Sequence, residues 1–268
     1  MQDLAGSLQL WLLLALTRQT AAHNIRLFRF NIPWLVKATD RTTSTEAHAL
    51  RYLHSTGLDL PIPRLIFSLV HRGTTYTVMS RIDGRNMYSA LKNQELSQDT
   101  IETIASEVEV VLRKLQTLRQ PPADAGKVML SASGHGLPDP VLFFEEHAGP
   151  YPSIIDLWAH CADFFDAAEL KRYVDQATLD IMAAEPIRYT HPDLRPYNIF
   201  IRDGHLLAII DWEDSGWYPS SWQVHTMRWM RPGSSGAWTQ YWRDKYRFSE
   251  VAEAAYAASK TFLQKSPV

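Results

Sequence analysis

Cysteine is nearly absent from this chain, since Cys161 is the only one among 268 residues. No disulfide can therefore form within the chain, which suits a reducing compartment. An excess of charge is absent as well, because 27 Lys and Arg face 29 Asp and Glu and give a formal net charge of −2. With neither a basic run nor a zinc-ligand spacing, nucleic acid is not an expected partner.

A membrane-spanning run is also lacking. A helix that spans a membrane requires about 20 apolar residues. The apolar stretch LQLWLLLALT, residues 8–17, is shorter than that. Its flank carries Asp3 and no Lys or Arg, unlike a secretory signal, although the TAAH that follows could pass for a cleavage site. We predict a buried N-terminal helix, a cytoplasmic location and no membrane partner. A signal or anchor is the alternative, and the oligomeric state stays open.

Glycine is scarce at the start of the chain, with none between Gly6 and Gly57. The first 82 residues nevertheless show strand patterns in IRLFRF, WLVKAT and the hairpin-like RLIFSLVHRGTTYTVMSRI, around one helical stretch, STEAHALRYLHST. From Ser97 onward, helical spacing dominates. We predict an α+β fold with a small β-rich N-terminal lobe over 1–82 and a larger, mostly helical C-terminal lobe over 83–268.

What is present is a set of oxygen-bearing side chains around a predicted hairpin. The two segments that carry them are HPDLRPYNIF and, shortly after it, LLAIIDWEDSGW. Asp203-Gly204, between apolar runs, predicts the hairpin turn. That turn would place Asn198 opposite Ile209, with Asp211 two residues further along on the same face.

These side chains meet the needs of phosphoryl transfer. Asn198 and Asp211 could share a hard cation such as Mg²⁺, and Asp193, in the preceding loop, could orient an attacking hydroxyl and accept its proton. The alternative is structural, because Asp and Asn are common turn formers and Asp211 could simply end a strand. The joint pattern of loop, hairpin and terminal Asp favours function.

The same segments resemble the aminoglycoside phosphotransferase/choline kinase family of the protein-kinase-like superfamily, especially its fungal members. HPDLRPYNIFI is similar to the family's H-G-D-x-x-P-x-N catalytic loop, and AIIDWEDSGWYP to its I-D-W-E-x-x-G-x-x-P segment. LVKA, STEAHALRYL, LPIPRLI and YTVMSRIDGRNM resemble the small-lobe Lys, the helix Glu, the Pro-x-Pro connector and the hinge. The resemblance runs from about Ile25 to Trp229 and implies a bilobal protein-kinase-like fold that uses ATP and Mg²⁺.

Carried over position by position, the resemblance implies a role for each site residue. Asp193 would be the catalytic carboxylate, with Asn198 and Asp211 as Mg²⁺ ligands. Lys37 would hold the α- and β-phosphates and would be oriented by an ion pair with Glu46. Without the family pattern, Lys37 would be a solvent-facing residue of an edge strand, and Glu46 would belong to a solvated helix face.

Three further positions complete the implied site. The backbone from Met79 to Arg81 would receive the adenine, and His191 would support the catalytic loop. Arg195, two residues after Asp193, stands where protein kinases place a phosphate-contacting Lys, so it would steady the γ-phosphate. Its alternative is an ordinary surface arginine.

The chain departs from the family pattern in three places. Pro192 replaces a Gly and so removes a backbone donor beside Asp193. The segment FRFNIPWL, expected to cover the nucleotide phosphates, has no glycine to let the backbone approach phosphate. The N-terminal lobe therefore looks shortened before Lys37 and short of a strand. Gln223 follows Trp222 where fungal relatives commonly have Glu.

Aromatic residues gather where an acceptor would bind, with six of the nine Trp in the segment 212–242. The candidate substrate contacts are Glu213, Asp214, Trp217 and Trp222. Aromatic rings beside carboxylates can hold a cationic acceptor. The alternative is that these large side chains pack the core of the C-terminal lobe.

The sequence thus predicts an enzyme, a phosphotransferase that uses ATP and Mg²⁺ to modify a hydroxyl of a small molecule. An amino-alcohol, an aminated sugar or a secondary metabolite would fit as acceptor. The alternative is a kinase-fold protein without kinase activity, either a small-molecule-binding module or an enzyme repurposed for another reaction of secondary metabolism. The glycine-free flap and Pro192 support that alternative.

Overall fold

An antiparallel sheet of five strands forms the N-terminal part of the computed structural model, which describes residues 2–139, 145–229 and 236–262. The strands are β1 Thr17–Gln19, β2 Ile25–Phe28, β3 Trp34–Thr39, β4 Leu65–His71 and β5 Thr74–Ser80, in the spatial order β1-β2-β3-β5-β4. Helix α1, Gln2–Ala15, precedes the sheet, and α2, Glu46–Ser55, connects β3 to β4. The expected loss of a strand is wrong, because the three-residue β1 completes the sheet.

Helices dominate the rest of the described chain and are joined by short strands. The helices are α3 Met87–Lys92, α4 Gln98–Gln116, α5 Ile154–Cys161, α6 Ala167–Tyr173, α7 Gln176–Ala184, α8 Ser220–Arg228, α9 Gly236–Gln240 and α10 Glu250–Ser259. The strands are β6 Arg85–Asn86, β7 Leu130–Ser131, β8 Leu137–Asp139, β9 Glu145–Ala148, β10 Ile187–Thr190, β11 Ile199–Arg202, β12 His205–Ile209 and β13 Gly216–Pro219. This mixed architecture confirms the predicted fold class. The lobe boundary at 82/83 stays a prediction.

Helix α2 begins where it does because of a reciprocal cap. Thr45 accepts from the backbone of His48, and the His48 side chain reaches back to the Thr45 backbone, so two free donors of the first turn are satisfied. Leu50 and Leu53 bury the inner face, and Gly57, at φ 72°, follows the helix end. The cap makes Glu46 the first residue of the helix and gives it a defined position.

The β11–β12 hairpin turns at Asp203-Gly204 as predicted, with φ of 52° and 82° at the two residues. Its register differs from the prediction, because an irregularity between Phe200 and Ile201 shifts the pairing by one residue. Ile209 therefore pairs with Ile199 rather than with Asn198. The expected alternation fails at that bulge, which period-two reasoning cannot anticipate.

Helix α1 packs on the N-terminal sheet through Leu13, which is 4% exposed beside Phe28, Val36 and Val78. The prediction of a buried N-terminal helix is nevertheless wrong for its opposite side, since Leu8 is 59% and Trp11 63% exposed. The sheet covers one side of the helix only. Within the described residues, no helix is both long and apolar enough to cross a membrane.

Glu185 is a buried carboxyl at the start of α8. Its oxygens accept from the Ser221 backbone N–H at 2.7 Å, the Ser221 hydroxyl at 3.0 Å and the Ser220 hydroxyl at 3.1 Å. Burial raises the pKa of Glu185 to about 7, although these hydrogen bonds oppose the rise. The folded protein therefore holds a proton that the unfolded chain has already released near its ordinary pKa.

The difference in unfolding free energy between wild type and Glu185→Gln should consequently depend on pH. Folding raises the pKa of Glu185. The protonated carboxyl therefore contributes its full stabilisation below the pKa of the unfolded chain, and this stabilisation is lost as pH rises through about 7. From pH 5 to pH 8, wild type should lose about 1–3 kcal/mol relative to the variant. Urea unfolding at several pH values measures this, with the exposed Glu250→Gln as control. A difference that stays constant with pH would contradict it.

Candidate active site

A single buried ammonium group joins three carboxylates between the sheet and the helical part. The Nζ atom of Lys37 lies 2.5 Å from Oδ1 of Asp211, 3.1 Å from Oε2 of Glu46 and 3.3 Å from Oε2 of Glu213. Lys37 lies on β3, the middle strand of the sheet, and is 9% exposed, so it is not a solvent-facing edge residue. Glu46 is 2% exposed, which also excludes the solvated-face alternative.

The electrostatics of this cluster favour the charged forms of Lys37 and Asp211, whereas burial raises the pKa of Glu46. Burial alone would lower the pKa of Lys37, but Glu46, Asp211 and Glu213 outweigh it and raise that pKa well above its ordinary value. Burial would raise the pKa of Asp211, yet the charge of Lys37 holds it below its usual range. Lys37 is thus a cation with three carboxyl groups around it, and Asp211 is held ionised beside it.

Glu46 also fixes the backbone after β12. Its Oε1 atom accepts from the backbone N–H groups of Asp211 at 3.1 Å and Trp212 at 3.2 Å, while Oε2 pairs with Lys37. Asp211 takes a left-handed conformation with φ of 65°, uncommon for a residue other than glycine. The short helix α2 therefore positions both the lysine and the aspartate.

The predicted catalytic loop is tied together around Asp193. The Nδ2 atom of Asn198 donates to the Asp193 carbonyl and to its Oδ2 atom, each at 2.8 Å. The Asn198 amide oxygen is therefore the side-chain atom left for a cation. The Arg195 guanidinium forms an ion pair with the same carboxylate. Its Nε atom lies 2.5 Å from Oδ1 of Asp193, and its Nη2 atom lies 2.8 Å from Oδ2. The alternative, that Arg195 is an ordinary surface arginine, is wrong, because its guanidinium pairs with Asp193 in the predicted catalytic loop.

His191 connects the catalytic loop to the strand end. It donates from Nε2 to the Ile210 carbonyl at 3.0 Å and accepts at Nδ1 from the Asp193 backbone N–H at 3.3 Å. Burial lowers the pKa of His191, so the neutral ring is favoured, and one tautomer satisfies both bonds. The Asp193 N–H therefore has an acceptor, although the preceding Pro192 has no N–H of its own. Gln223 donates to the His191 carbonyl at 3.2 Å.

A cavity of about 400 Å³ opens beside Lys37, between the sheet and the β11–β12 hairpin. Its lining comprises Asn24, Ile25, Leu27, Leu35, Lys37, Glu46, Pro63, Met79, Ser80, Arg81, Ile82, Phe200, Ile210 and Asp211. The wall is mainly apolar, and three of its charged residues, Lys37, Glu46 and Asp211, meet at one place. The structure brings the predicted adenine-contacting segment, Met79 to Arg81, to this cavity.

The segment that faces the cavity from the first hairpin differs from the expected flap. FRFNIPWL forms the connection from β2 to β3, whereas the β1–β2 turn, residues 20–24, lies next to Lys37. Ile25 pairs with Lys37, and the Asn24 carbonyl accepts from Ala38 N–H at 2.8 Å. The turn beside Lys37 is thus not part of FRFNIPWL, and a phosphate-covering flap stays a prediction. The β1–β2 turn also lacks glycine and contains two alanines.

The predicted aromatic acceptor pocket is wrong. Trp217 and Trp222 are 2% and 0% exposed, because their indoles pack within the core. Glu213 faces Lys37, and Asp214 pairs with Arg41 at 2.6 Å, so each of the two carboxylates already has a cationic partner within the protein. Large aromatic side chains fill the interior, as the core alternative proposed.

Sequence reasoning missed Arg41. Its guanidinium lies 2.6 Å from Oδ1 of Asp214 and 3.9 Å from Oε1 of Glu213, so the β3–α2 connection contacts the segment after β12. Burial raises the pKa of Asp214 to about 7, while Arg41 opposes the rise. An arginine in a polar loop gives no local signal of this long-range pair.

The donor set around the cavity suits magnesium when phosphate is also present. Across residues 2–139, 145–229 and 236–262, no three His, Cys, Asp or Glu side chains are arranged to hold a metal unaided. Mg²⁺ usually takes only one or two protein oxygens, with phosphate and water completing its shell. The Asp211 carboxylate lines the cavity, and the Asn198 amide oxygen, in the loop that His191 joins to the Ile210 carbonyl, could serve as the second protein oxygen.

Residues 30–256 match the family model described as "Phosphotransferase enzyme family", so the chain belongs to that family. No curated protein sequence matches the chain.

Solved structures of aminoglycoside phosphotransferases share the fold. A thermostable mutant of APH(4)-Ia, in ternary complex with ADP and hygromycin B, has a TM-score of 0.62 at 15% identity, over 96% of this chain and 88% of that chain. ADP-bound APH(2'')-Ib has a TM-score of 0.56 at 12% identity, over 96% and 86%. The gentamicin complex of APH(2'')-IIa has 0.56 at 13% identity, over 96% and 85%.

Replacing Lys37 by Gln should destabilise the protein without any nucleotide. The change leaves Glu46, Asp211 and Glu213 without their cation, and breaking a buried pair costs about 3–5 kcal/mol. Urea unfolding measures the loss. The exposed Lys92→Gln is the matched control, and Lys37→Gln combined with Glu46→Gln should recover part of the loss. Equal unfolding midpoints for Lys37→Gln and the control would show that Lys37 does not stabilise the fold.

Proposed function

We propose that this protein transfers the γ-phosphoryl group of ATP, with Mg²⁺, to a hydroxyl group of a small molecule. The main observation behind this proposal is that Lys37, Glu46 and Asp211 meet beside the cavity. Asp193 and Asn198 lie in the loop joined to that point through His191. Membership of the phosphotransferase family supports the proposal, and the neighbours bound to ADP support a nucleotide in the cavity.

The nucleotide would enter the cavity with its adenine against the backbone of Met79 to Arg81. The apolar lining, which includes Leu35, Phe200 and Ile210, would cover the faces of the base. The triphosphate would then extend towards Lys37, which would exchange its contact with Asp211 for phosphate oxygens. Glu46, which also binds the backbone after β12, would keep the ammonium in place during that exchange.

Asp211 and Asn198 would hold magnesium through their side-chain oxygens. When bound, the ion neutralises phosphate charge that develops in an in-line transfer. Asp211 is released for this task when Lys37 moves to phosphate, and Asn198 keeps Asp193 oriented through its amide nitrogen. The acceptor hydroxyl would lie against Asp193, which would position it and accept its proton.

Arg195 would change partner during the reaction. In the structure its guanidinium occupies both oxygens of Asp193, so an acceptor hydroxyl would have to displace it. A γ-phosphate beside the loop is a stronger partner for a planar guanidinium and would draw it away. Arg195 thus links the arrival of ATP to the exposure of the catalytic carboxylate.

Asp211→Asn should abolish the stabilisation by nucleotide that depends on magnesium. Asn tolerates the left-handed backbone at this position but removes the charge that would hold the ion. In wild type, ligand at a hundredfold excess over Kd adds about 2.7 kcal/mol of stability. This should raise Tm by several degrees. Thermal unfolding with ADP, with and without Mg²⁺, measures the effect.

The matched control is Asp59→Asn, because the Asp59 side chain is fully exposed, at 105% relative exposure. This control should behave as wild type. No shift in wild type at millimolar nucleotide would defeat the proposal and favour a kinase-fold protein that binds another ligand. A shift that survives in Asp211→Asn would remove Asp211 from the metal site.

Arg195→Gln should weaken ATP binding while leaving ADP binding nearly unchanged. Only ATP carries the γ-phosphate, and a hydrogen bond to a charged group contributes about 1.5–3 kcal/mol, which corresponds to roughly tenfold or more in affinity. Calorimetric titration with Mg²⁺ and either ADP or a non-hydrolysable ATP analogue measures both affinities. Arg202→Gln, at the exposed hairpin end, is the control. Equal losses for the two nucleotides would contradict the assigned role.

A further inference from the structure

Helix α1 carries a second apolar side that no described residue covers. Leu8, Trp11, Leu12 and Leu16 recur at helical spacing, so they form one stripe, and their exposed fractions are 59%, 63%, 46% and 44%. Leu13, on the opposite side, packs on the sheet. A contiguous apolar stripe of this kind marks a surface that meets a partner or a lipid phase.

Phe30 extends the stripe at the C-terminal end of α1. It is 84% exposed in the β2–β3 connection. The preceding Arg29 donates its backbone N–H to the Leu16 carbonyl at 2.9 Å, which places the two segments side by side. We call Leu8, Trp11, Leu12, Leu16 and Phe30 together the α1 surface.

The charge beside the α1 surface is mainly positive. Residues 4–39 contain no Asp or Glu, although Asp3 lies in the first turn of α1. Arg18 and Arg29 are exposed. The guanidinium of Arg26 is already engaged, because it donates to Oγ1 of Thr17 and Oε1 of Gln19, each at 2.8 Å. An apolar stripe beside the exposed Arg18 and Arg29 is complementary to an anionic lipid surface.

We propose that the α1 surface binds the protein to the surface of anionic phospholipid membranes. With 14 residues, α1 would lie along the interface rather than span it. Trp11 would sit at the headgroup level, where indole side chains are favoured. The arginines would contact lipid phosphates.

A second copy of the chain is a weaker candidate for the same surface. A symmetric dimer would place identical surfaces face to face. Arg18, Arg26 and Arg29 of both copies would then approach one another, and like charges oppose that contact. A membrane supplies opposite charge instead.

Membrane binding at this place would leave the cavity open. Val36, beside Leu13, and Lys37, at the cavity, are consecutive residues of β3 and so point to opposite faces of the sheet. The α1 surface therefore lies on the opposite side of the sheet from the cavity. The proposal does not depend on the proposed function.

Sedimentation with vesicles tests the proposal. The full chain should bind vesicles of phosphatidylcholine and phosphatidylserine at 4:1, more weakly at high salt and with pure phosphatidylcholine. Combined Leu8→Gln, Trp11→Gln and Leu12→Gln should reduce partition at least about tenfold. Arg18→Gln and Arg29→Gln should each reduce it about fivefold. Phe165→Gln, at an aromatic residue that is 92% exposed elsewhere, is the matched control and should change nothing.

Fluorescence locates the contact. Brominated lipid should quench Trp11 in wild type, and Trp11→Phe should keep vesicle binding but lose that quenching. Unchanged Tm of each variant shows that folding is intact. Failure of wild type to bind either vesicle, or full binding by the triple Gln variant, would overturn the proposal. Light scattering that shows a dimer lost in the triple variant, with no vesicle binding, would assign the surface to a second copy.

Discussion

The structure depends on one buried cation that three elements share. Lys37 comes from the middle of the N-terminal sheet, Glu46 from the first turn of α2, and Asp211 and Glu213 from the segment after β12. Three carboxyl groups around one ammonium group would repel one another without it, so the lysine holds them close together. In the proposed function, Asp211 would bind a second cation and, through it, phosphate.

The supports of this cluster are backbone features rather than further charges. A reciprocal cap starts α2 at Glu46, and Glu46 in turn accepts the backbone N–H groups of Asp211 and Trp212. His191 ties the catalytic loop to the Ile210 carbonyl, one residue before Asp211. Glu46 and His191 thereby fix the main chain on both sides of Asp211 from two other elements. Supporting hydrogen bonds of this kind hold the geometry of a site.

The sequence predicts this site well where the signal is local. The hairpin turn at Asp203-Gly204, the helix that carries Glu46 and the loop from Asp193 to Asn198 follow from turn chemistry and motif spacing, and the structure brings them together. Long-range features were missed. The pairing of Arg41 with Asp214 joins residues 173 positions apart, and the irregularity at Phe200 depends on how the hairpin packs. Neither leaves a periodic trace in the chain.

Local sequence patterns predict poorly which side chains are buried. Trp217 and Trp222 looked like a cation pocket because they follow carboxylates, yet the core holds both indoles. Leu8 and Trp11 looked like core because they are apolar, yet both are exposed. Apolar character favours removal from water, but the available partner surface decides which side chains achieve it. One sheet face covers one side of α1, so the apolar side chains on its other side stay exposed.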